Sequence, residues 1–248
     1  ELPCEGITTP GGFGNRVLPE LAQATLESCR DVFGAEIPHY FRHLFTDKRS
    51  VAPRVEYASG LGGADPRCVV SIIGCTGDWF GGWDGMNPGS ADKFITEDLQ
   101  TGRMVDVIES GEPAIVVCHW PGVYYNGEEI GFKIFQEVVR RLHARYDHLQ
   151  WMKLSEISRY WAARELTRIE RRGADVVLNA PFACPEFTLA VANAPDSAPM
   201  LRKADKGIEL ARAASAKELK RYTWTREGDR TLVCFDLPKG ESRIAFQK

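Results

Sequence analysis

Two pairs of residues that could do chemistry stand at the ends of short apolar runs. Asp78-Trp79 follows the run 69–77, and His119-Trp120 follows the run 114–118. Runs of β-branched apolar residues without polar alternation are typical of strands buried on both faces, as in a parallel sheet. In α/β barrels and open α/β sheets, functional residues gather at the carboxyl ends of the strands. Asp78 and His119 are therefore candidate site residues; the alternative for each is structural, as a turn cap or a histidine bonded to a backbone carbonyl.

Aromatic residues accompany both pairs in loops that are rich in glycine or turn residues. An aromatic ring can stack on the apolar face of a sugar, and glycine lets a ligand come close to the backbone. Tryptophans that only cover the end of a sheet would give the same pattern. The sequence therefore indicates carbohydrate as the substrate or ligand, with these candidate contact residues: Trp79, Trp83, Trp120, Tyr124 and Tyr125.

The composition is that of an ordinary globular protein and argues against two kinds of partner. Of 248 residues, 44% are hydrophobic and 26% charged, and the formal net charge is -3. No long basic stripe is present, so we expect no nucleic-acid partner. No apolar run approaches the roughly 18 residues that a membrane span needs. Because the chain begins at Glu1 with no Met and no signal peptide, we expect that a segment was removed upstream or that this is a piece of a longer protein. The partners expected are therefore such an upstream segment or, separately, a second copy of the chain in a homo-oligomer.

The seven cysteines favour burial over chemistry. None forms a Cys-x-x-Cys pair, so neither a zinc ribbon nor a thiol-redox motif is indicated. Their number is odd, and several stand within apolar runs, where cysteine behaves as a small hydrophobic residue. This pattern leans towards a reducing compartment and, weakly, towards the cytoplasm.

The pattern of elements changes at about residue 171, which predicts two domains, 1–170 and 171–248. Helical periodicity is clearest over 130–145 and is also found at 16–33, 90–110 and 156–169, with a break expected at Gly102. Strands are predicted at 54–59 and 149–154. Beyond residue 171 alternating strands dominate and favour a small antiparallel β-sandwich-like domain, with strands at 175–179, 186–192, 221–225, 231–236 and 243–247.

Another pair of residues has a spacing that can bind metal. His39 and His43 are four residues apart, which on a helix would place both on one face. No carboxylate ligand stands beside them, and the surrounding segment is strongly aromatic. A role as ordinary packed histidines is therefore favoured over a metal site.

Taken in order, these motifs resemble the second half of the polysaccharide deacetylase (NodB-homology) family over residues 1 to about 165. The third motif of that family, an Arg-x-Pro loop, corresponds to Thr8-Thr9-Pro10-Gly11-Gly12. Its fourth motif, an Asp-Trp after a strand, corresponds to Asp78-Trp79. Its fifth, a hydrophobic strand that ends in histidine, corresponds to Val117-Cys118-His119. The family tail of a helix and a short strand resembles 132–157.

The resemblance implies a partial or distorted NodB-like (β/α) barrel that removes acetyl groups from a polysaccharide. In that family a divalent, zinc-like metal polarises the acetyl carbonyl and activates water. By resemblance, His119 would be the general acid, and Asp78 would keep its imidazole oriented and charged. Trp79 would wall the pocket, and Pro10 and Gly11 would belong to the substrate loop.

Two departures from the family pattern bear on activity. The first two family motifs supply the catalytic Asp, the metal-binding Asp and a His-x-x-x-His pair, and all would precede the Pro10-Gly11 loop, where this chain has none of them. His39 and His43 follow that loop instead. The motif arginine is replaced by Thr8. The usual metal ligands are thus absent from this chain, and a non-catalytic, glycan-binding relative is the alternative.

Two other hypotheses rank below these. A glycosidase could pair Asp78 with Asp84 or Glu128 if the carboxylates flank a groove about 5 to 9 Å apart. A Cys118-His119 nucleophile pair is disfavoured, because neighbours at the end of a strand point to opposite faces.

Overall fold

The computed structural model describes residues 3–8, 19–42, 50–76, 87, 89–204 and 206–246. The chain divides into two compact units. The first comprises Glu1–Tyr57 and Val69–Ile157, and the second comprises Ala58–Cys68 and Ser158–Lys248. Each unit has its own sheets and its own buried apolar clusters.

The strands and helices are numbered in chain order. The strands are β1 (Gly6–Thr8), β2 (His39–Arg42), β3 (Arg54–Ser59), β4 (Arg67–Ile73), β5 (Arg168–Arg172), β6 (Asp175–Ala180), β7 (Cys184–Ala192), β8 (Pro199–Lys203), β9 (Lys206–Glu209), β10 (Ala211–Arg212), β11 (Thr223–Glu227), β12 (Arg230–Leu237) and β13 (Gly240–Phe246). The α-helices are α1 (Pro19–Thr25), α2 (Arg103–Glu109), α3 (Trp120–Tyr124), α4 (Ile130–Arg145) and α5 (Leu154–Leu166). A π-helix and short 3-10 turns lie at Leu26–Asp31, Ala91–Lys93, Tyr125–Gly127 and Ala216–Glu218.

The first unit is built on a four-stranded sheet with the order β1-β2-β4-β3. The pairs β1–β2 and β2–β4 are parallel, with Gly6 opposite His39 and His39 opposite Val70. A Cβ atom at Gly6 would overlap the imidazole of His39. Glycine at this position therefore lets the His39 ring lie against the neighbouring strand.

The described part of the connection from β1 to β2 contains an α-helix that continues as a π-helix. We predict one helix over 16–33; its described part is α1 followed by the π-helix. The hydroxyls of Thr25 and Ser28 donate to the carbonyls of Leu21 (2.7 Å) and Ala24 (2.6 Å), four residues earlier. Such bonds compete with the backbone ladder and are associated with bent helices. Ala22 and Leu26 are buried together with Tyr40 and Val69.

The helix predicted over 90–110 forms only in part, because of Gly102. This residue has φ +127°, and a Cβ atom there would overlap the carbonyl group of Phe94. The chain turns back here: the amide of Met104 donates to the carbonyl of Phe94 at 3.0 Å, and α2 begins at Arg103. Other predicted elements are confirmed with the same bounds, namely α4 and β3.

The predicted NodB-like (β/α) barrel is wrong. The described residues are arranged mainly in three separate sheets, and among them no closed barrel forms. The run 114–118, predicted as a central strand, lies beside the end of β4, where the amide of Cys75 donates to the carbonyl of Ile115 at 3.0 Å. Neither this run nor 149–153 forms a strand. Apolar β-branched residues favour an extended chain, but a strand also needs a partner that supplies a hydrogen-bond ladder.

The second unit contains two sheets. The five-stranded sheet, β5-β6-β13-β8-β9, pairs its strands antiparallel. The four-stranded sheet has the order β10-β11-β12-β7, and its β10–β11 pair is parallel. This domain was predicted to be antiparallel and β-sandwich-like; among its described strand pairs the short β10–β11 pair is the parallel exception.

Residues from both sheets of the second unit share one buried cluster. Leu178 and Ile244 come from the five-stranded sheet, and Val233 and Phe235 come from the four-stranded sheet. Alternation along β7 buries every second residue from Phe187 to Val191, as expected for a strand with one wet face. In either unit, no described helix is long and apolar enough to cross a membrane.

Candidate functional site

His119 lies at the point where an extended segment enters a helix. The segment 112–118 runs beside the end of β4, and α3 begins at the next residue, Trp120. The backbone carbonyl of His119 accepts a hydrogen bond from the amide of Val123 at 3.1 Å, which fixes the first turn of α3. The side chain of His119 is half-buried. The imidazole therefore belongs to a defined backbone position that is partly open to solvent.

Two aromatic rings stack immediately after His119. The ring centroids of Trp120 and Tyr124 are 5.1 Å apart, and the ring planes differ by 9°. The residues are four apart, so one turn of α3 brings their side chains together. Trp120 is 74% exposed and Tyr124 is 46% exposed. Because Trp120 remains mostly exposed although Tyr124 stacks on it, its indole offers apolar surface to solvent.

The residue that precedes His119, Cys118, takes part in an apolar pocket of about 670 Å³. Cys118 lines it, and so does Val123, whose amide bonds to His119. This volume is in the range of small-molecule sites, which are mainly apolar with a few polar groups. Glu112 and Gln150 are polar residues of the lining. Its apolar walls come from α2, α4 and the segments beside them: Met104, Ile108, Ala114, Val116, Phe132, Phe135, Leu149, Trp151, Met152 and Leu154.

The rim of this pocket contains exposed apolar residues that sequence reasoning missed. Phe132, Trp151 and Met152 are 42%, 60% and 43% exposed. The indole nitrogen of Trp151 donates to Nε2 of His143 at 3.2 Å, so the ring is held in place. We predict 149–154 as a strand, which would have buried alternate residues. The sequence does contain one signal for these exposed residues. The apolar pair Trp151-Met152 stands at the boundary of an element, directly before the charged Lys153.

Most other predicted site residues lie outside the described residues. These are Asp78, Trp79 and Trp83 in the first loop, Pro10 and Gly11 in the glycine-rich segment, and His43. The proposed contact between Asp78 and His119 therefore stays a prediction. Strand β4, which precedes Asp78 in the chain, ends at Ile73, and the last described residue before Asp78 is Thr76.

His39 is a buried residue of strand β2 and not of a helix. It is 8% exposed, its Nδ1 has no hydrogen-bond partner, and burial lowers the pKa of its imidazole. Among the described residues no group of three or more histidine, cysteine or acidic side chains is placed to hold a metal ion. The metal that the family resemblance implies stays a prediction.

A buried polar network lies on the same sheet. Glu56 accepts from the hydroxyl of Ser71 at 2.6 Å and from Arg42 at 3.3 Å. Burial raises the pKa of the neighbouring Tyr40 to about 12, and the charge of Glu56 acts in the same direction. These four residues come from β2, β3 and β4. The hydrogen bonds of Glu56 therefore connect β3 to both β2 and β4.

No protein-family model matches the chain, and neither the curated proteins nor the solved structures contain a significant match to it.

Proposed function

We propose that the chain is a carbohydrate-active hydrolase that removes acyl groups from a glycan, in the manner of polysaccharide deacetylases. One observation supports this most: His119 is followed in the chain by the stacked Trp120–Tyr124 pair and preceded by Cys118, one of the residues that line the apolar pocket. The order of the sequence motifs supports it independently of the fold.

The stacked pair would hold the sugar. Pyranose rings have apolar faces made of C–H groups, and an exposed indole offers a flat apolar platform to them. The parallel contact with Tyr124 restricts the Trp120 side chain before a ligand arrives. A restricted side chain loses less conformational entropy on binding, which improves affinity.

The pocket would take the acyl side of the substrate. Its lining is mainly apolar and includes Cys118, the residue that precedes His119 in the chain. In the proposed binding mode the sugar lies on Trp120, the acyl group enters the pocket, and the scissile bond faces His119, the residue that joins the two in the chain. The polar scissile bond would then lie beside the half-buried His119, and the apolar part of the acyl group would be removed from water.

The chemistry assigned to His119 is proton donation. Water adds to the acyl carbon, the bond from that carbon to nitrogen or oxygen breaks, and the imidazolium gives its proton to the departing atom. The carboxylic acid so formed then returns a proton to the imidazole, which restores the imidazolium. General acid catalysis of this kind contributes typically 10²–10⁴-fold to a rate. Asp78 would orient the ring, as the resemblance implies.

The test is acetate release from acetylated chito-oligosaccharides and acetylated xylo-oligosaccharides. The variant His119→Gln should lower the rate by about 100-fold or more while leaving binding nearly unchanged. A matched control is His148→Gln, an exposed histidine paired with Asp147 at 2.7 Å. Equal activity of His119→Gln and the unmodified protein would refute the role of His119.

A second candidate function is glycan binding without catalysis, supported by the same exposed aromatic pair. In that case no acetylated oligosaccharide releases acetate, but Trp120→Ala weakens oligosaccharide binding about tenfold or more in calorimetry. The control is Phe33→Ala, which removes an aromatic residue that is 59% exposed elsewhere in the same unit. Binding that survives Trp120→Ala and Tyr124→Ala would contradict both functions.

A further inference from the structure

Two cysteines that are far apart in the sequence meet in the first unit. The Sγ atoms of Cys4 and Cys29 are 4.0 Å apart, although 25 positions separate the residues. All seven cysteines of the chain are free thiols. Two sulfur atoms in contact need to approach by only about 2 Å to reach the S–S bond length. We propose that Cys4 and Cys29 form a reversible disulfide, and that this pair is an oxidation site of the protein.

The surrounding backbone holds the two sulfur atoms together. Cys4 stands two residues before β1, and the carbonyl of Glu5 accepts from the amide of His39 at 3.2 Å. Cys29 lies in the π-helix, and its carbonyl accepts from the amide of Ala35 at 3.1 Å. The residues before β1 are thus tied to the start of β2, and the π-helix is tied to the turn that precedes β2. The disulfide would close the β1–helix crossover into a covalent loop.

The two thiols differ in access, which sets the order of the reaction. Cys29 is fully buried, and burial raises the pKa of its thiol, so Cys29 stays protonated and shielded. Cys4 is half-buried, and its thiol donates a long, weak hydrogen bond to the carbonyl of Gly6 at 3.8 Å. An oxidant from solvent therefore reaches Cys4 first, and Cys29 is the resolving residue.

The oxidant is a small-molecule disulfide of the glutathione class. The thiolate of Cys4 attacks one sulfur of glutathione disulfide, forms a mixed disulfide and releases one glutathione thiolate. The sulfur of Cys29 then attacks Sγ of Cys4, the mixed disulfide breaks, and the second glutathione leaves with the proton of Cys29. In sum, two protein thiols are oxidised to one disulfide, and one glutathione disulfide is reduced to two glutathione molecules.

Peptide mapping tests this directly, because trypsin places the two residues in separate peptides. Cys4 falls in 1–16 and Cys29 in 17–30, and neither peptide contains another cysteine. After incubation of the full chain with glutathione disulfide and blocking of free thiols, we expect these peptides to be linked. The intact mass should fall by about 2 Da. The oxidised protein should unfold roughly 5 °C or more higher, a gain that dithiothreitol removes.

Three variants serve as controls. Cys4→Ser and Cys29→Ala should each abolish the linked peptide, whereas Cys118→Ser, at an exposed thiol, should keep it. If Cys29→Ala does not fold, Cys4→Ser decides alone, since Cys4 is only half-buried and precedes β1. A persistent glutathione adduct on Cys4 without the linked peptide would overturn the proposal. So would a linkage from Cys4 to any cysteine other than Cys29.

Discussion

Arg42 and Glu56 form an ion pair that is almost completely removed from water. Nη1 of Arg42 and Oε1 of Glu56 are 3.3 Å apart, and the two side chains are 6% and 9% exposed. The hydroxyl of Ser71 donates to the same carboxylate oxygen at 2.6 Å. The pair joins β2 to β3, and Ser71 adds β4. The sheet of the first unit therefore depends on a charged group at its centre.

Removing one partner of this pair should destabilise the first unit strongly. Glu56→Ala leaves the Arg42 charge buried without its carboxylate, which typically costs about 3–5 kcal/mol of unfolding free energy. Guanidinium denaturation followed by circular dichroism measures this loss. The control Glu165→Ala removes an exposed ion pair with Arg164, whose side chains are 55% and 48% exposed, and should change stability by no more than about 0.5 kcal/mol. Equal effects of the two variants would contradict the buried role of Glu56.

Two glycines with positive φ should respond differently to alanine. Gly102→Ala combines an unfavourable φ of +127° with overlap between the new Cβ and the Phe94 carbonyl, so we expect a loss of about 3 kcal/mol or more. Gly34 has φ +74° and nothing within 4 Å of a new Cβ, so Gly34→Ala should cost only about 1–2 kcal/mol. Thermal unfolding of both variants compares them. A larger loss at Gly34 than at Gly102 would show that the turn at Gly102 is less tight than the structure has it.

The regular amphipathic elements could be predicted from the sequence, and the elements that depend on distant partners could not. Helix α4 has a strong apolar face and was predicted with its bounds, since periodicity alone defines it. The run 114–118 has the composition of a strand, but whether a partner strand lies alongside is not encoded in the run itself. The break at Gly102 was expected from the glycine itself, whereas its close approach to the carbonyl of Phe94 is visible only in the structure.

The candidate site, too, could be predicted from the sequence only in part. The position of His119 at the end of an apolar run, with Trp120 next to it, was visible in the sequence. The stacking of Trp120 on Tyr124 was not, because Pro121-Gly122 indicates a turn, whereas 120–124 forms α3. Buried charges are missed for a similar reason: Glu56 stands in a strand with several polar residues, where an exposed position is the natural expectation.

Acid should destabilise the first unit partly through Glu137. Hydrogen bonds from Arg140 and Arg141, of 2.6 to 2.7 Å, lower the pKa of Glu137 from 4.5 to about 2. A carboxyl group whose pKa is depressed in the folded state stabilises the fold above its unfolded value, near 4.5. That stability is lost as the pH falls from about 4.5 towards 2, because the unfolded chain binds the proton first.

The variant Glu137→Gln should therefore make stability less dependent on pH between about 4.5 and 2. Urea midpoints measured at intervals across this window give the slope. Gln136→Ala, at an exposed and uncharged neighbour on α4, is the control and should keep the slope of the unmodified protein. An unchanged slope in Glu137→Gln would mean that its bonds to Arg140 and Arg141 do not persist in solution.

Ligands of the apolar pocket should protect Cys118 from thiol reagents. Cys118 is the exposed member of the seven cysteines and lines the pocket, so it should be the first to react with a water-soluble disulfide reagent. Octanoate, whose chain can bury apolar surface in the pocket, should slow this labelling severalfold. Acetate at the same concentration buries too little surface to bind and should not. Labelling is followed by mass spectrometry of tryptic peptide 104–133, which contains Cys118 and no other cysteine. Equal labelling rates with octanoate and acetate, at concentrations where octanoate binds the protein, would place the acyl site away from Cys118 and His119.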